Sequence, residues 1–476
     1  MSVDNRVLSL VFVTGVFVLI IAFCALFFGL FGLGLRLLLD SKLLKHPRFD
    51  WLLIFALPSA WTLLEYARAW GYGLFWSGPG SLGGPHWSFA HLGYVFHDQS
   101  ALRMLASVGG VYLLSFLIVL FSVAVWRASL YKRHVDGRKF WIFALALAVA
   151  CFALGSYLAN EGKAGEDFAL AQSASSSAKV LLVTTDFPAA YSQNVKSLEA
   201  TAVHNAEQLQ RLDQALALGP DVVIFPEGSE VSSALLAKFE NLPAVTKYFM
   251  QATGDRPIVL LDNILSRPEA RSRLLYVDSK DGLLDYYDKR MIFPGGEYIP
   301  HFVRGLASVF GGHDLLKRVE TLRVLSAGEK PDLVVPTRHG KIGGLICSGI
   351  ISTELPANMT RAGAQMIVVT SSNALFRSNK VILEGNVAMS QLRAVESGRY
   401  LLLSTNGGYS FAINSVGTVI RRQYASDSPG NVSVVLLNHK TLYIRFGNWV
   451  VLLSAAILLA TVGLVQKVNQ KESPHP

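Results

Sequence analysis

Three polar side chains in this sequence stand at the ends of apolar, strand-like runs: Glu227 closes VVIFPE, Lys289 closes LLDYYDK and Cys347 closes KIGGLIC. In a layered α/β domain, polar side chains at the ends of adjacent strands converge on one crevice. A carboxylate, an ammonium and a thiol brought together there make an acyl-transfer site. The carboxylate takes the thiol proton, the sulfur attacks a carbonyl, and the ammonium holds the developing oxyanion. Nearby positive charge would also lower the thiol pKa. Each residue alone has a plainer role. A Glu after Pro caps the following helix, a Lys beside Asp285 and Asp288 forms a surface pair, and a buried cysteine is a small hydrophobe.

Cys347 stands apart from the other two cysteines, because Cys24 and Cys151 fall within long apolar segments. A single thiol in an exported domain cannot form an internal disulfide, which marks it as a candidate reactive group.

The elements that must position these residues follow from composition. At 476 residues and 51% hydrophobic, with mean hydropathy +0.37, the chain is too apolar to be only a soluble domain. Segments 7–39, 51–70, 104–126, 140–158 and 448–466 each approach or exceed the roughly 20 residues that cross a bilayer as a helix. The first is expected to stay in the membrane, since its start is barely basic and its apolar run is far longer than that of a signal peptide. Lys42, Lys45 and Arg48, then Arg127, Lys132, Arg133, Arg138 and Lys139, then Lys467 and Lys471 mark the cytoplasmic ends. The block 159–447 is therefore expected outside. This topology accounts for most of the net charge of +9, and no nucleic-acid patch is read in it.

Four domains of organisation result: a transmembrane region over 1–158, a Ser/Ala-rich linker over 159–178, an exported domain over 179–440, and a last helix with a cytoplasmic tail over 441–476. Within the exported domain, strands at 179–185, 219–227, 257–263, 273–279, 283–288, 341–347, 365–371, 400–405, 410–414 and 417–423 alternate with helices at 192–218, 231–253, 354–362 and 381–397. Strands alternating with helices give an α/β layered domain. Residues 301–330 have no clear period and read as a long loop at the membrane or the substrate.

Several other residues invite a functional reading. Glu65 and Arg68, near the outer end of the second span, are three apart on a helix and are expected to pair with each other. His86, His91 and His97 lack ligand spacing and read as loop residues rather than a metal site. Tyr72, Phe75, Trp76 and Trp87 fit an interfacial aromatic belt or an acyl entry.

The order Glu, Lys, Cys resembles the nitrilase, or carbon–nitrogen hydrolase, superfamily. FPEGSE resembles that superfamily's glutamate segment, and GGLICSGI resembles its cysteine segment. YYDKRMIFPGGEYIP closely resembles the lysine segment of the apolipoprotein N-acyltransferase family, and SSNALF and MSQLRAVESGRYLLLSTNGGYSFAINSVG are similar to later motifs of the same family. LPSAWTLLEYARAW and GGVYLLSFLIVL resemble its spans. The resemblance implies a membrane helical bundle plus an α/β nitrilase-like αββα sandwich domain. It implies an enzyme that takes an acyl chain from a phospholipid as a cysteine thioester and passes it to the N-terminal amine of a diacylglyceryl-cysteine apolipoprotein in the bacterial inner membrane. By position, Cys347 would be the nucleophile, Glu227 the general base, Lys289 the stabiliser of the tetrahedral intermediate and Glu297 a supporting acid, with no cofactor or metal.

The chain departs from the family in three places. Ser348-Gly349 stand where the family has Tyr-Glu, SSNALF lacks an Asp and a Trp, and Asn386 stands where a His is usual; four spans rather than seven precede the domain. Two further readings remain open at this point: a membrane-tethered amidase or acyltransferase with another acceptor, and a non-catalytic scaffold of the same fold.

Overall fold

The computed structural model describes residues 6–40, 50–130, 135–172, 177–188, 198–239, 241–309, 316–317, 324–331, 333–376 and 379–471. Five long helices are present: α1 (Arg6–Leu39), α2 (Asp50–Phe75), then after the short α3 (Ser100–Met104) α4 (Ala106–Leu130) and α5 (Val135–Gln172), and one at the C-terminal end described below. Among the described residues, four segments are long and apolar enough to cross a membrane: Phe17–Leu39, Ala106–Leu130, Gly137–Ala171 and Trp449–Lys467. The protein is therefore a membrane protein. The segment read as the second span, α2, carries Pro58, Glu65 and Arg68 and packs among α1, α4 and the C-terminal helix.

Residues 159–172, the larger part of the linker expected over 159–178, are helical. Helix α5 runs unbroken from the membrane segment to Gln172, so at 1.5 Å per residue it stands far proud of a hydrocarbon core of about 30 Å. Its extension, ANEGKAGEDFALAQ, is rich in Ala, the best helix former. Glu166, only 5% exposed, fixes it to the next domain by accepting from Ser415 N (2.8 Å), Ser415 Oγ (2.5 Å), Asn414 Nδ2 (3.1 Å) and Tyr400 OH (3.3 Å).

That domain is built from β1 (Ser177–Leu182), α6 (Leu198–Ala217), β2 (Val222–Ile224), α7 (Val231–Phe239), α8 (Leu242–Thr253), β3 (Val259–Ser266), β4 (Arg271–Asp278), β5 (Gly282–Asp288), α9 (His301–Val309), β6 (Val334–Thr337), β7 (Gly340–Ile346), α10 (Glu354–Arg361), β8 (Met366–Ser372), α11 (Lys380–Ser397), β9 (Tyr400–Asn406), β10 (Tyr409–Ile413), β11 (Val419–Tyr424) and β12 (Asn431–Val435). The chain then returns through α12 (Leu442–Phe446) to α13 (Trp449–Lys471). Two six-stranded sheets, ordered β12-β1-β2-β3-β4-β5 and β11-β10-β9-β8-β7-β6, form the two inner layers. Strand alternation explains the stacking. Val180, Leu182, Val222, Ile224, Val259 and Leu261 face the second sheet's Ile342, Ile346 and Val368. Leu181, Val223 and Leu260 face the other way, onto Leu212, Leu235 and Phe249 of α6, α7 and α8. On the far side, Leu355 and Met359 of α10 and Val387 of α11 cover the second sheet.

Most expected elements lie within a few residues of their sequence positions. The single helix expected over 231–253 is two, because Asn241 caps a new one by accepting from Ala244 N (3.0 Å) with Pro243 in its first turn. Residues 301–309 form the amphipathic helix α9 rather than loop, with Phe302 packed tilted against Phe75 and edge-on to Trp76 at centroid distances of 4.9 and 5.0 Å. Much of the remainder of 301–330 lies outside the described residues. The short edge strands β6 and β12 carry too few residues to show a period.

Candidate active site

Glu227, Lys289 and Cys347 each lie one to three residues beyond a strand: β2, β5 and β7. The two sheets meet here, since Glu227 N, just beyond β2, donates to Ser371 O of β8 (3.3 Å). Lys289 is tied at both backbone ends, N to Ser272 O (2.8 Å) and O from Gly328 N (2.9 Å). Cys347 opens a short 3-10 turn (Cys347–Ile351) with φ of 47°. A left-handed conformation is costly for a residue with a Cβ, and here it marks the abrupt change of direction from strand to turn.

The structure brings all four predicted residues together. Lys289 is 1% exposed, and its Nζ donates to Glu227 Oε1 (3.2 Å) and Glu297 Oε1 (2.5 Å). An ammonium has three N–H groups; among the described residues two are engaged, and one remains for an oxyanion. Glu297 Oε2 accepts from Phe293 N (2.8 Å), so the same carboxylate shapes the 293–298 loop, closed by Gly295 N to Tyr298 O (2.8 Å) with Gly295 at φ 77°.

Burial opposes charge on Lys289, but the acidic groups around it, Cys347, Glu227 and Glu297, outweigh burial and hold the ammonium well above its ordinary range. Burial is also the main reason the Glu297 carboxyl is raised, with Lys289 pulling the other way. The Cys347 thiol is pushed up from 9.0 to about 11 by burial, with Lys289 lowering it and Glu227 and Glu297 raising it further. The positive charge lowers the thiol as expected, but burial and the carboxylates outweigh it. One ammonium cannot offset desolvation and two carboxylates, so the resting sulfur is a thiol and needs a base at the moment of attack.

The membrane helices reach this site through residues 76–97. Tyr298 OH donates to Trp76 O (2.8 Å), and His301 N donates to Ser77 O (2.8 Å). Gly78 permits the approach, because a Cβ there would stand 2.5 Å from the Tyr298 ring. Tyr72, Trp76 and Trp87 are 6%, 4% and 4% exposed and belong to the core that the sheets share. They are therefore buried packing, not an exposed belt; Phe75 alone of the four is exposed. Glu65 and Arg68 interact electrostatically but, among the described residues, make no hydrogen bond or ion pair with each other. Glu65 Oε1 accepts from Leu92 N (2.8 Å), and Arg68 donates to Phe89 O and Ala90 O (3.3 and 2.8 Å). Two buried side chains thus hold a loop whose backbone would otherwise go unsatisfied. His86 bonds Ser352 Oγ (2.8 Å) and His97 bonds Gln391 (2.9 Å), and His91 is buried.

Several residues around Glu227, Lys289 and Cys347 have contacts that the sequence did not reveal. Ser348, at a position where the chain departs from the family pattern, donates its hydroxyl to Met291 O and so ties the cysteine turn to the lysine loop. Ser371 hydrogen-bonds the thiol. Asn386 Nδ2 donates to Asn373 Oδ1 (3.4 Å), whose Nδ2 donates to Thr405 Oγ1 (3.2 Å). These polar groups sit on strand ends or helices that look like ordinary structure in sequence.

Residues 6–124 match the model of the apolipoprotein N-acyltransferase N-terminal domain, and residues 169–441 match that of carbon–nitrogen hydrolase. Among curated proteins, the apolipoprotein N-acyltransferase of Synechocystis sp. is 29% identical over 49% of this chain and 43% of its own length. Those of Geobacter metallireducens and Shewanella oneidensis are 26% and 22% identical, over 86% and 95% of this chain and 74% and 80% of theirs. With over half its length matched by the one model and its helical region by the other, the chain belongs to the carbon–nitrogen hydrolase family and carries the N-terminal domain of the apolipoprotein N-acyltransferases.

Proposed function

We propose that the protein is an acyltransferase of lipoprotein maturation, moving an acyl chain from a phospholipid through a Cys347 thioester to the N-terminal amine of a diacylglyceryl-cysteine apolipoprotein. The observation that carries this reading is the ammonium of Lys289 held between Glu227 and Glu297 beside a single thiol, in a domain joined to apolar helices. In the first half-reaction the Cys347 proton passes to Glu227 as sulfur bonds to the ester carbonyl carbon. Lys289 donates its remaining N–H to the oxyanion. Collapse breaks the carbon–oxygen bond, and Glu227 returns the proton to the departing lysophospholipid oxygen. In the second, the amine nitrogen bonds to the thioester carbon as Glu227 takes its proton, the carbon–sulfur bond breaks, and Glu227 passes the proton to the departing sulfur, restoring the thiol. No other group need change oxidation state or charge.

The architecture supports the substrate assignment, because an acyl chain can remain in lipid while its carbonyl reaches the thiol, which turns a bimolecular encounter into a positioned one. We place the protein in the bacterial inner membrane, with the catalytic domain on the periplasmic side, from the distribution of Lys and Arg. The test is the intact mass of the protein after incubation with phospholipid vesicles, beside Cys347→Ala, followed by a diacylglyceryl-cysteine peptide. An acyl-sized increment absent from the variant and cleared by the peptide is expected. An increment that ignores the peptide would overturn the acceptor, and no increment would overturn the chemistry.

A further inference from the structure

Glu227 is held by a second set of contacts that does not involve the lysine. Ser272, on β4 and 5% exposed, has its Oγ 3.4 Å from Glu227 Oε1. It also lies 3.1 Å from Asn263 Nδ2 on the neighbouring β3. The orientation of Asn263 is decided by a third group, Gly228 N, which lies 2.9 Å from Oδ1. A backbone N–H can only donate, so the oxygen of the amide must face Gly228 and the NH2 must face Ser272. The Ser272 oxygen therefore accepts from Asn263. Its own proton is left for Glu227; the alternative acceptor, Asn263 Oδ1 at 3.5 Å, is both more distant and already engaged.

The chain of donors thus runs one way, from Gly228 and Asn263 through Ser272 to the base. Both of its known donors, Lys289 Nζ and Ser272 Oγ, meet Glu227 on the same oxygen, Oε1. No hydrogen bond engages Oε2 among the described residues. Ser272 also accepts Lys289 N on its carbonyl (2.8 Å), so one residue sets the separation of base and ammonium through its backbone and the rotation of the base through its side chain.

We propose that Ser272, oriented by Asn263, is a positioning residue that holds Glu227 with Oε1 occupied and Oε2 free to take the Cys347 proton. The inference rests on the cysteine acyl-transfer reading above and adds to it a residue that acts only through the base. Loss of the hydroxyl frees the carboxylate to rotate and removes one donor to its charged form, and the attack slows without loss of substrate binding.

The experiment follows acylation of the full-length protein by p-nitrophenyl butyrate, read as the burst of p-nitrophenolate above that of Cys347→Ala. Ser272→Ala is expected to slow the burst about tenfold at unchanged KM, the size of one hydrogen bond to a charged group. Ser272→Thr, which keeps the hydroxyl, restores the rate. In a Glu227→Gln background, Ser272→Ala adds nothing further, because its only route to the thiol is gone. An equal loss in both backgrounds, or an unaltered burst in Ser272→Ala, overturns the positioning role while leaving the cysteine chemistry intact. A wild-type protein whose burst equals that of Cys347→Ala overturns both, and failure to acylate from phospholipid alone touches only the donor.

Discussion

Glu297 Oε1 lies 2.5 Å from Lys289 Nζ while Oε2 accepts from Phe293 N at 2.8 Å. One carboxylate therefore does two things, neutralising the lysine and fixing the loop that leads toward the membrane helices. A glutamine keeps the shape but has one acceptor atom for two donors, so either the ammonium or Phe293 N–H faces an NH2 group. Leaving a buried donor unsatisfied costs about 1–3 kcal/mol. Glu297→Gln is expected to slow Cys347 thioester formation by about 5- to 150-fold, with the chain still folded. Single-turnover intact-mass kinetics measure this, and a wild-type rate in Glu297→Gln would remove Glu297 from the site.

The thiol provides a prediction in pH. Its ordinary value of 9.0 is raised to about 11 in the folded protein. Between those values the folded chain keeps a proton that the unfolded chain has lost, so stability falls as pH rises through this window. The contribution of Cys347 is complete below 9.0 and lost through about 11. The difference in unfolding free energy between wild type and Cys347→Ala should be flat at neutral pH and should slope downward over that interval. Lys289→Met removes the group that lowers the thiol, and alkylation of Cys347 by iodoacetamide should then need still higher pH. A midpoint in the neutral range would mean that the sulfur rests as thiolate.

A third prediction concerns the extension of α5. Glu166 accepts from Ser415 N, Ser415 Oγ, Asn414 Nδ2 and Tyr400 OH, and removing it strands four donors in a buried place. Glu166→Ala is expected to lower the thermal unfolding midpoint, at a cost of about 2–4 kcal/mol, with Glu166→Gln intermediate. An unchanged midpoint would show that the helix extension is not held by this residue.

The comparison of sequence with structure is instructive at these same residues. The sheets were legible because their strands are buried on both faces and so read as continuous apolar runs, as in KVLL and VVIF. Glu227 and Cys347 were legible because each follows such a run, whereas Lys289 follows β5, whose apolar run is interrupted by Asp285 and Asp288. Ser272, by contrast, sits in RSRLLYVD, an alternating strand in which a buried serine resembles any inward residue of small size. Glu166 lay in a stretch whose alanines and serines read equally as linker or helix, and only its partners 234 to 249 residues away decide the matter. Glu65 and Arg68 have the spacing of a helix pair, yet the loop that each holds lies more than 20 residues distant. Spacing reveals local partners; it does not reveal which of several possible partners a fold supplies.

The last prediction tests how the catalytic domain is joined to the membrane helices. Within α4, Gly109 and Gly110 break the helix, Gly110 at φ 69°. The helix restarts at Val111, whose N–H donates to Glu396 Oε1 of α11 (2.8 Å). Glu396 is in turn paired with Arg393, nitrogen to oxygen 2.8 Å, both side chains almost fully buried. A Cβ on Gly110 would stand 2.7 Å from the Tyr443 ring, so the break, the ring and the carboxylate fit together only with glycine there. Gly110→Ala is expected to cost about 1–3 kcal/mol in overpacking, with a further 1–2 kcal/mol or so for the left-handed backbone. Glu396→Gln keeps an acceptor for Val111 but leaves Arg393 buried without a counter-charge, and removal of one partner from such a pair costs about 3–5 kcal/mol. Thermal unfolding in detergent measures both. If the two variants unfold with the wild type, the domain is joined to the membrane by other contacts and this junction is incidental; if both fall while thioester formation at low temperature persists, the junction holds the domain in place without taking part in the chemistry.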